Sequence, residues 1–195
     1  MKFRWCLLVL SVYVAFSWSG TLKAQQDPPT GPARLVTSLY RQVIARHPIG
    51  IPEGEDLKIF TPYLSSSLLH GIDQYRACTS DWDRKNAGSN LKSPVGLFEN
   101  DIFSGAYEEA KPQAFHVERT HPEDNGHFRV YVRLSLASPP APPSVWRVAV
   151  LVSRERGHFF VDDIVYLKDE NRPTDERLTE YFSRYCEGPR YVGRH

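Results

Sequence analysis

A chain of 195 residues with 41% hydrophobic and 12% aromatic side chains holds enough apolar material for one domain-sized core, which excludes disorder of the whole chain. Its 24 basic and 23 acidic residues nearly cancel. They alternate along the sequence without the basic run that a nucleic-acid backbone requires, so no nucleic-acid partner is expected.

Lys2 and Arg4 precede an apolar run over residues 5–18, and a polar stretch, Gln25-Gln26-Asp27-Pro28-Pro29, follows. The run falls short of the roughly 20 apolar residues that cross a bilayer. Residues 1–24 therefore read as a signal peptide, with cleavage after Ala24 or, because Leu22 is bulkier than the usual pattern, after Ser19; an uncleaved anchor is the alternative. The expected location is exported, periplasmic or secreted, with no membrane contact beyond this segment. Removing Lys2, Arg4 and Lys23 from the 24 basic residues leaves 21 against 23 acids. Residues 25–31 read as a linker, 32–188 as a single domain and 189–195 as a tail.

Leu35, Val36, Leu39, Tyr40, Val43 and Ile44 repeat at helical spacing between Pro32 and Pro48. Residues 56–60 read as a separate turn of helix. Thr61-Pro62 offers a cap and a first-turn proline to a helix carrying Leu64, Leu68, Leu69, Ile72 and Tyr75 and ending near Cys78. Residues 79–96 are polar and contain Gly88, which predicts a surface loop, and Ser65-Ser66-Ser67 reads as helix surface. The period then changes to two. Phe115 and Val117, then Phe128, Val130, Val132, Leu134 and Leu136, alternate with polar residues, and a proline-rich connection over residues 138–144 leads to a strand with Trp146, Val148, Val150 and Val152 on one face. Residues 158–166 return as the last strand. Thr174-Asp175-Glu176 opens a closing helix with Leu178, Tyr181, Phe182 and Tyr185 on one side. The fold class is α+β: N-terminal helices packed on a curved antiparallel sheet, with an extra C-terminal helix.

Cys6 belongs to the signal, which leaves Cys78 and Cys186. In an oxidising compartment this pair predicts one disulfide, closing a loop of about a hundred residues and worth up to ~4 kcal/mol. Two separate buried thiols are the alternative. No third ligand stands at metal-site spacing, so no metal and no cofactor are expected.

The segment Trp146-Arg147-Val148-Ala149-Val150-Leu151-Val152, followed by Gly157-His158-Phe159-Phe160-Val161-Asp162-Asp163-Ile164, resembles the end of the sheet in the nuclear transport factor 2-like, or cystatin-like, superfamily. The helix pair ahead of Leu97-Phe98-Glu99-Asn100-Asp101-Ile102-Phe103 is similar to an exported bacterial domain family of unknown function. The resemblance covers residues 32–166. It implies a cone of helices wrapped by a bent sheet, with an interior that holds a ligand or active site in some members and is filled in others. It also implies a possible homodimer through the open sheet.

Relatives with isomerase or dehydratase activity place a carboxylate and a tyrosine or histidine inside the cone, which makes Asp163, Asp162 and Tyr40 the candidate catalytic residues. Acid–base work would need a desolvated carboxylate. Neighbours on a strand point to opposite faces, so only one of the two acids reaches the interior unless a bulge intervenes; the alternative is that both satisfy strand-end or helix-end donors. Asp101 and Phe103 are candidate ligand contacts at the cone mouth, with the end of a turn as the alternative; Tyr75 is a further candidate ligand contact, and for Tyr40 and Tyr75, on the inner faces of the first two helices, core packing is the alternative. His116, His121 and His127, near Glu118 and Asp124, match no metal-ligand spacing and read as solvated hairpin histidines. No phosphate loop, nucleophile elbow or zinc-protease motif is present. Three functions remain open: a non-enzymatic domain binding a small ligand or protein through the cone mouth or sheet face, a small lyase, isomerase or hydrolase using the acid/tyrosine pair, and a periplasmic immunity or inhibitor protein that acts through residues 79–96 or 138–144.

Overall fold

The computed structural model describes residues 31–88, 101–106, 111–169 and 172–186. The expected signal segment, the linker up to residue 30 and the tail lie outside these. In α1 (Gly31–Arg46), Val36, Leu39, Tyr40 and Val43 are fully buried, three or four residues apart, so one helix face meets the core. His47, at a φ of 46°, and Pro48 end it. Glu55 and Asp56 stand in the first turn of α2 (Gly54–Phe60), where carboxylates complement the free amides, and Phe60 is buried at its end.

The next helix starts later than Thr61-Pro62 predicts. Thr61–Tyr63 forms a single 3-10 turn, and the Thr61 hydroxyl donates back to the Leu57 carbonyl at 2.7 Å, closing α2 instead of opening a new helix. Leu64 is extended and bridges Val161 of the sheet, and the Ser65 amide donates to the Val161 carbonyl at 2.8 Å. Sheet pairing holds these residues out of the helix. α3 (Ser66–Lys85) begins behind Ser65, whose buried hydroxyl accepts from the Leu68 amide at 3.0 Å. Ser65 is thus a cap and not helix surface. α3 also continues past Cys78 where a loop was expected. Tyr75, Cys78 and Trp82 keep a helical stripe against the core, while Asp81 pairs with Arg84 and Lys85 on the wet side. The polar composition of residues 79–85 is that of a solvated helix face; residues 89–96 of the expected loop lie outside the described ones.

Five strands form one antiparallel sheet in sequence order: β1 (Ala114–Pro122), β2 (Phe128–Ser138), β3 (Ala141–Glu155), β4 (His158–Tyr166) and β5 (Glu176–Arg177). β5 was expected as helix. Its two residues pair instead with Tyr166 and Val165, so α4 (Leu178–Cys186) opens at Leu178. β3 starts within the proline-rich stretch, with only Pro139-Pro140 between Ser138 and its partner Ala141. Residues 141–147 pair with β2 alone, because β4 joins only at Val148, and prolines lacking a donor are tolerated on that open side.

One face of the sheet is the core: Val130, Val132, Leu134, Val148, Val150, Val152, Val161, Ile164 and Tyr166 pack with α1, α3 and α4. The β4 ladder skips Asp162, since Leu151 faces Asp163 and Val152 faces Val161. This bulge keeps both Val161 and Ile164 inside and leaves two successive acids out of the core. Ser65→Ala removes the α3 cap and the hydroxyl that meets Asp162, and should destabilise the fold by about 1–2 kcal/mol. The exposed Ser67→Ala should stay within about 0.5 kcal/mol of wild type. Urea unfolding midpoints compare the two, and equal shifts would mean that the cap does not set the start of α3.

Candidate functional site

The interior of the fold is occupied by residues 101–105. Asp101 is buried, and its carboxylate grips its own segment: Oδ1 accepts from the amides of Phe103 and Ser104 at 2.8 and 2.7 Å, and Oδ2 accepts from the Ser104 hydroxyl at 2.6 Å. Four successive carbonyls then receive side-chain donors from four directions. Tyr166 Oη donates to Ile102 at 2.8 Å, Tyr40 Oη to Phe103 at 2.7 Å, Trp146 Nε1 to Ser104 at 2.9 Å, and Arg172 Nη2 to Gly105 at 3.0 Å. The Phe103 ring lies 4.6 Å from that of Phe60. Gly105 has a φ of 58°, and a Cβ there would collide with the Tyr166 ring.

Tyr40, Asp101 and Phe103 are therefore brought together, as core packing and not as the lining of an open pocket. Burial, reinforced by the Asp101 charge, pushes the Tyr40 phenol well above the usual tyrosine range, so it acts as a hydrogen-bond donor at neutral pH. Tyr75 lies apart from this group, its ring 5.0 Å from Phe182 between α3 and α4. Tyr166, Trp146 and Arg172 complete the grip, and no local sequence pattern marks them for it, because only tertiary contact gives them this role.

Neither member of the acid pair faces Tyr40. Asp163 accepts from the Thr179 hydroxyl at 2.7 Å and from the amides of Ile164 and Thr179 at 2.8 and 3.2 Å, which satisfies the first turn of α4. Burial raises its pKa, and these hydrogen bonds oppose the rise. Asp162 accepts from Ser65 Oγ at 2.8 Å. It borders a cleft of about 600 Å³ lined also by Ser67, Asn125, His127, Ser153 and Glu155. Glu155 is tied to the α3 N-terminus, accepting from the Ser66 amide at 3.1 Å and its hydroxyl at 2.6 Å. Among the described residues no group of three or more His, Cys, Asp and Glu is placed to hold a metal.

In this structure Cys78 and Cys186 are reduced, as free thiols. The two thiols are in contact. Burial and the neighbouring Cys78, which shares a hydrogen bond with it, push the Cys186 thiol up to about 12.

No family model matches the chain, and no match is found among the curated proteins or the solved structures.

Burial holds Asp101 above the usual carboxylate range, against the hydrogen bonds from Ser104 and Phe103. The folded state thus favours its protonated form. Its contribution to stability is greatest below the ordinary value of about 3.9 and declines as the pH rises through the higher folded value. The difference in urea midpoint between wild type and Asp101→Asn should therefore shrink or reverse against wild type as the pH rises through the mildly acidic range. A difference independent of pH there would mean that Asp101 titrates as it does in the unfolded chain.

Proposed function

We propose that the protein is an exported, non-enzymatic binding domain that meets its ligand or partner with its outer surface. The observation that carries this reading is the filled interior: the segment 101–105 takes the phenol of Tyr40, and Asp163 is engaged by Thr179, so the acid/tyrosine pair needed for a lyase, isomerase or hydrolase is not assembled. The order of helices and antiparallel strands accords with a nuclear transport factor 2-like cone of the filled kind.

The contact between Cys78 and Cys186 supports export. In an oxidising compartment a disulfide oxidase can join them: the Cys78 thiolate attacks the oxidase disulfide to form a mixed disulfide and expels one oxidase thiolate. Cys186 then gives up its proton and attacks the Cys78 sulfur, releasing the second oxidase thiolate. The domain loses two hydrogens and the oxidase is reduced to its dithiol. The bond would tie α4 to α3 beside the Tyr75–Phe182 contact.

An inhibitor role is the second reading, favoured by the β2–β3 hairpin. Its tip pairs beyond the ends of β1 and β4 and leaves Val145 52% exposed. A partner would engage that tip.

Native mass spectrometry of the full-length gene product, purified from the periplasm of a host that exports it, tests the reading. The expected product lacks the N-terminal signal, is lighter by two hydrogens until reduced, and keeps its fold in Tyr40→Phe. A small molecule that is released on denaturation and absent from Tyr40→Phe would place the ligand in the interior and sink the outer-surface reading.

A further inference from the structure

Register across the sheet gathers arginines that are scattered in sequence. On the face away from the core, His116 stands beside Arg133 and Arg147, and Arg119 beside Tyr131, Ala149, Val165 and Arg177. His121 stands beside Arg129, Leu151 and Asp163. Five arginines thus share this face; Arg129 is paired with Glu123 at 2.5 Å and Arg177 stands 4.0 Å from Glu180, Glu118 lies at the β1 bulge, and Asp163 is turned to Thr179, which leaves Arg119, Arg133 and Arg147 as the less compensated group. The chain as a whole is close to neutral, so the clustering belongs to this surface and not to the overall charge.

The guanidinium groups are only partly compensated. Glu118 is shared by Arg147 at 3.1 Å and Arg133 at 3.7 Å, and these arginines keep 53% and 48% of their side chains exposed. Arg119 lies over the Tyr131 ring at 4.1 Å and has no carboxylate within ion-pair distance among the described residues. Between the arginines Ala149, Leu151 and Val165 pack against Tyr131 and Leu167 and are almost fully buried, so the accessible surface here is that of the arginines and their neighbours.

We propose that this face docks an acidic protein segment, its carboxylates meeting Arg119, Arg133 and Arg147 across the strands. The inference rests on the binding role above and names the partner chemistry. Exposed arginine, stacked here on tyrosine, is a side chain enriched at protein interfaces. Glu118, on the edge strand β1, already shows two of these guanidinium groups meeting a carboxylate. Outward positions on one strand recur about every 7 Å, and neighbouring strands lie about 5 Å apart. An extended or helical acidic segment presents carboxylates on that scale.

Labelled poly-L-glutamate titrated with the full-length exported protein, followed by fluorescence anisotropy, tests the inference. Binding is expected at low ionic strength and should weaken about tenfold on going to physiological salt. It should be lost in the double variant Arg119→Glu/Arg133→Glu, unchanged in Arg41→Glu on the exposed side of α1, and tightened in Glu118→Gln, which frees Arg133 and Arg147. Far-UV circular dichroism checks that each variant is folded, and the gain in Glu118→Gln is a change that simple misfolding does not produce. Failure to bind poly-L-glutamate, equal binding by the double variant, or tighter binding to duplex DNA or phosphatidylglycerol vesicles would each overturn the proposal. The binding role itself falls only if the native spectrum points to the interior, so the two failures are read from separate experiments.

Discussion

Most of this structure depends on how an irregular segment is kept inside a core. Residues 101–105 belong to no helix or strand, and backbone polar groups without secondary structure must find other partners or lose the hydrogen bonds that water would supply. The donors come from β4, α1, β3 and the connection after β4, one for each of four successive carbonyls, while Asp101 takes the amides and hydroxyl on the other side. Gly50 accepts from the Ile102 amide at 3.3 Å. Each donor is a side chain that also packs, so the elements around the segment are tied to one another through it.

The edge of the sheet follows a similar logic. The bulge at Asp162 sends both acids outward, and each then serves the start of a helix, Asp162 through the capping Ser65 and Asp163 through Thr179. Glu155 does the same for Ser66. Three carboxylates from two strands thus meet the amide ends of α3 and α4, where the partial positive charge of a helix favours them. A sequence pattern resembling a catalytic carboxylate pair is here a device for docking helices on a strand.

These two arrangements bear directly on function. Among the described residues, Tyr40, Tyr166, Asp101 and Asp163 all have hydrogen-bond partners, and the proposed binding role therefore looks to the outer surface: the cleft beside Ser153, the β2–β3 tip and the arginine-bearing face. Among the buried side-chain polar atoms of the described residues at that cleft, the Ser153 hydroxyl has no hydrogen-bond partner.

Local periodicity alone determined the helix face of Val36, Leu39 and Val43, the alternation of β2, β3 and β4 and the α+β order, since those patterns repeat within a few residues. The helical stripe through Tyr75, Cys78 and Trp82 was also present but masked by the polar residues around it. The arginine face was written in the same period of two, yet charge counted along the chain averages opposite faces together and hides it. Tertiary structure alone decided where α3 starts, where Asp162 and Asp163 point and what fills the core. Those outcomes rest on contacts between residues far apart in sequence, such as Tyr40 with Phe103, 63 positions on, and Ser65 with Asp162, 97 positions on. No local signal carries such a pairing, because its energy exists only once both segments have reached the same place.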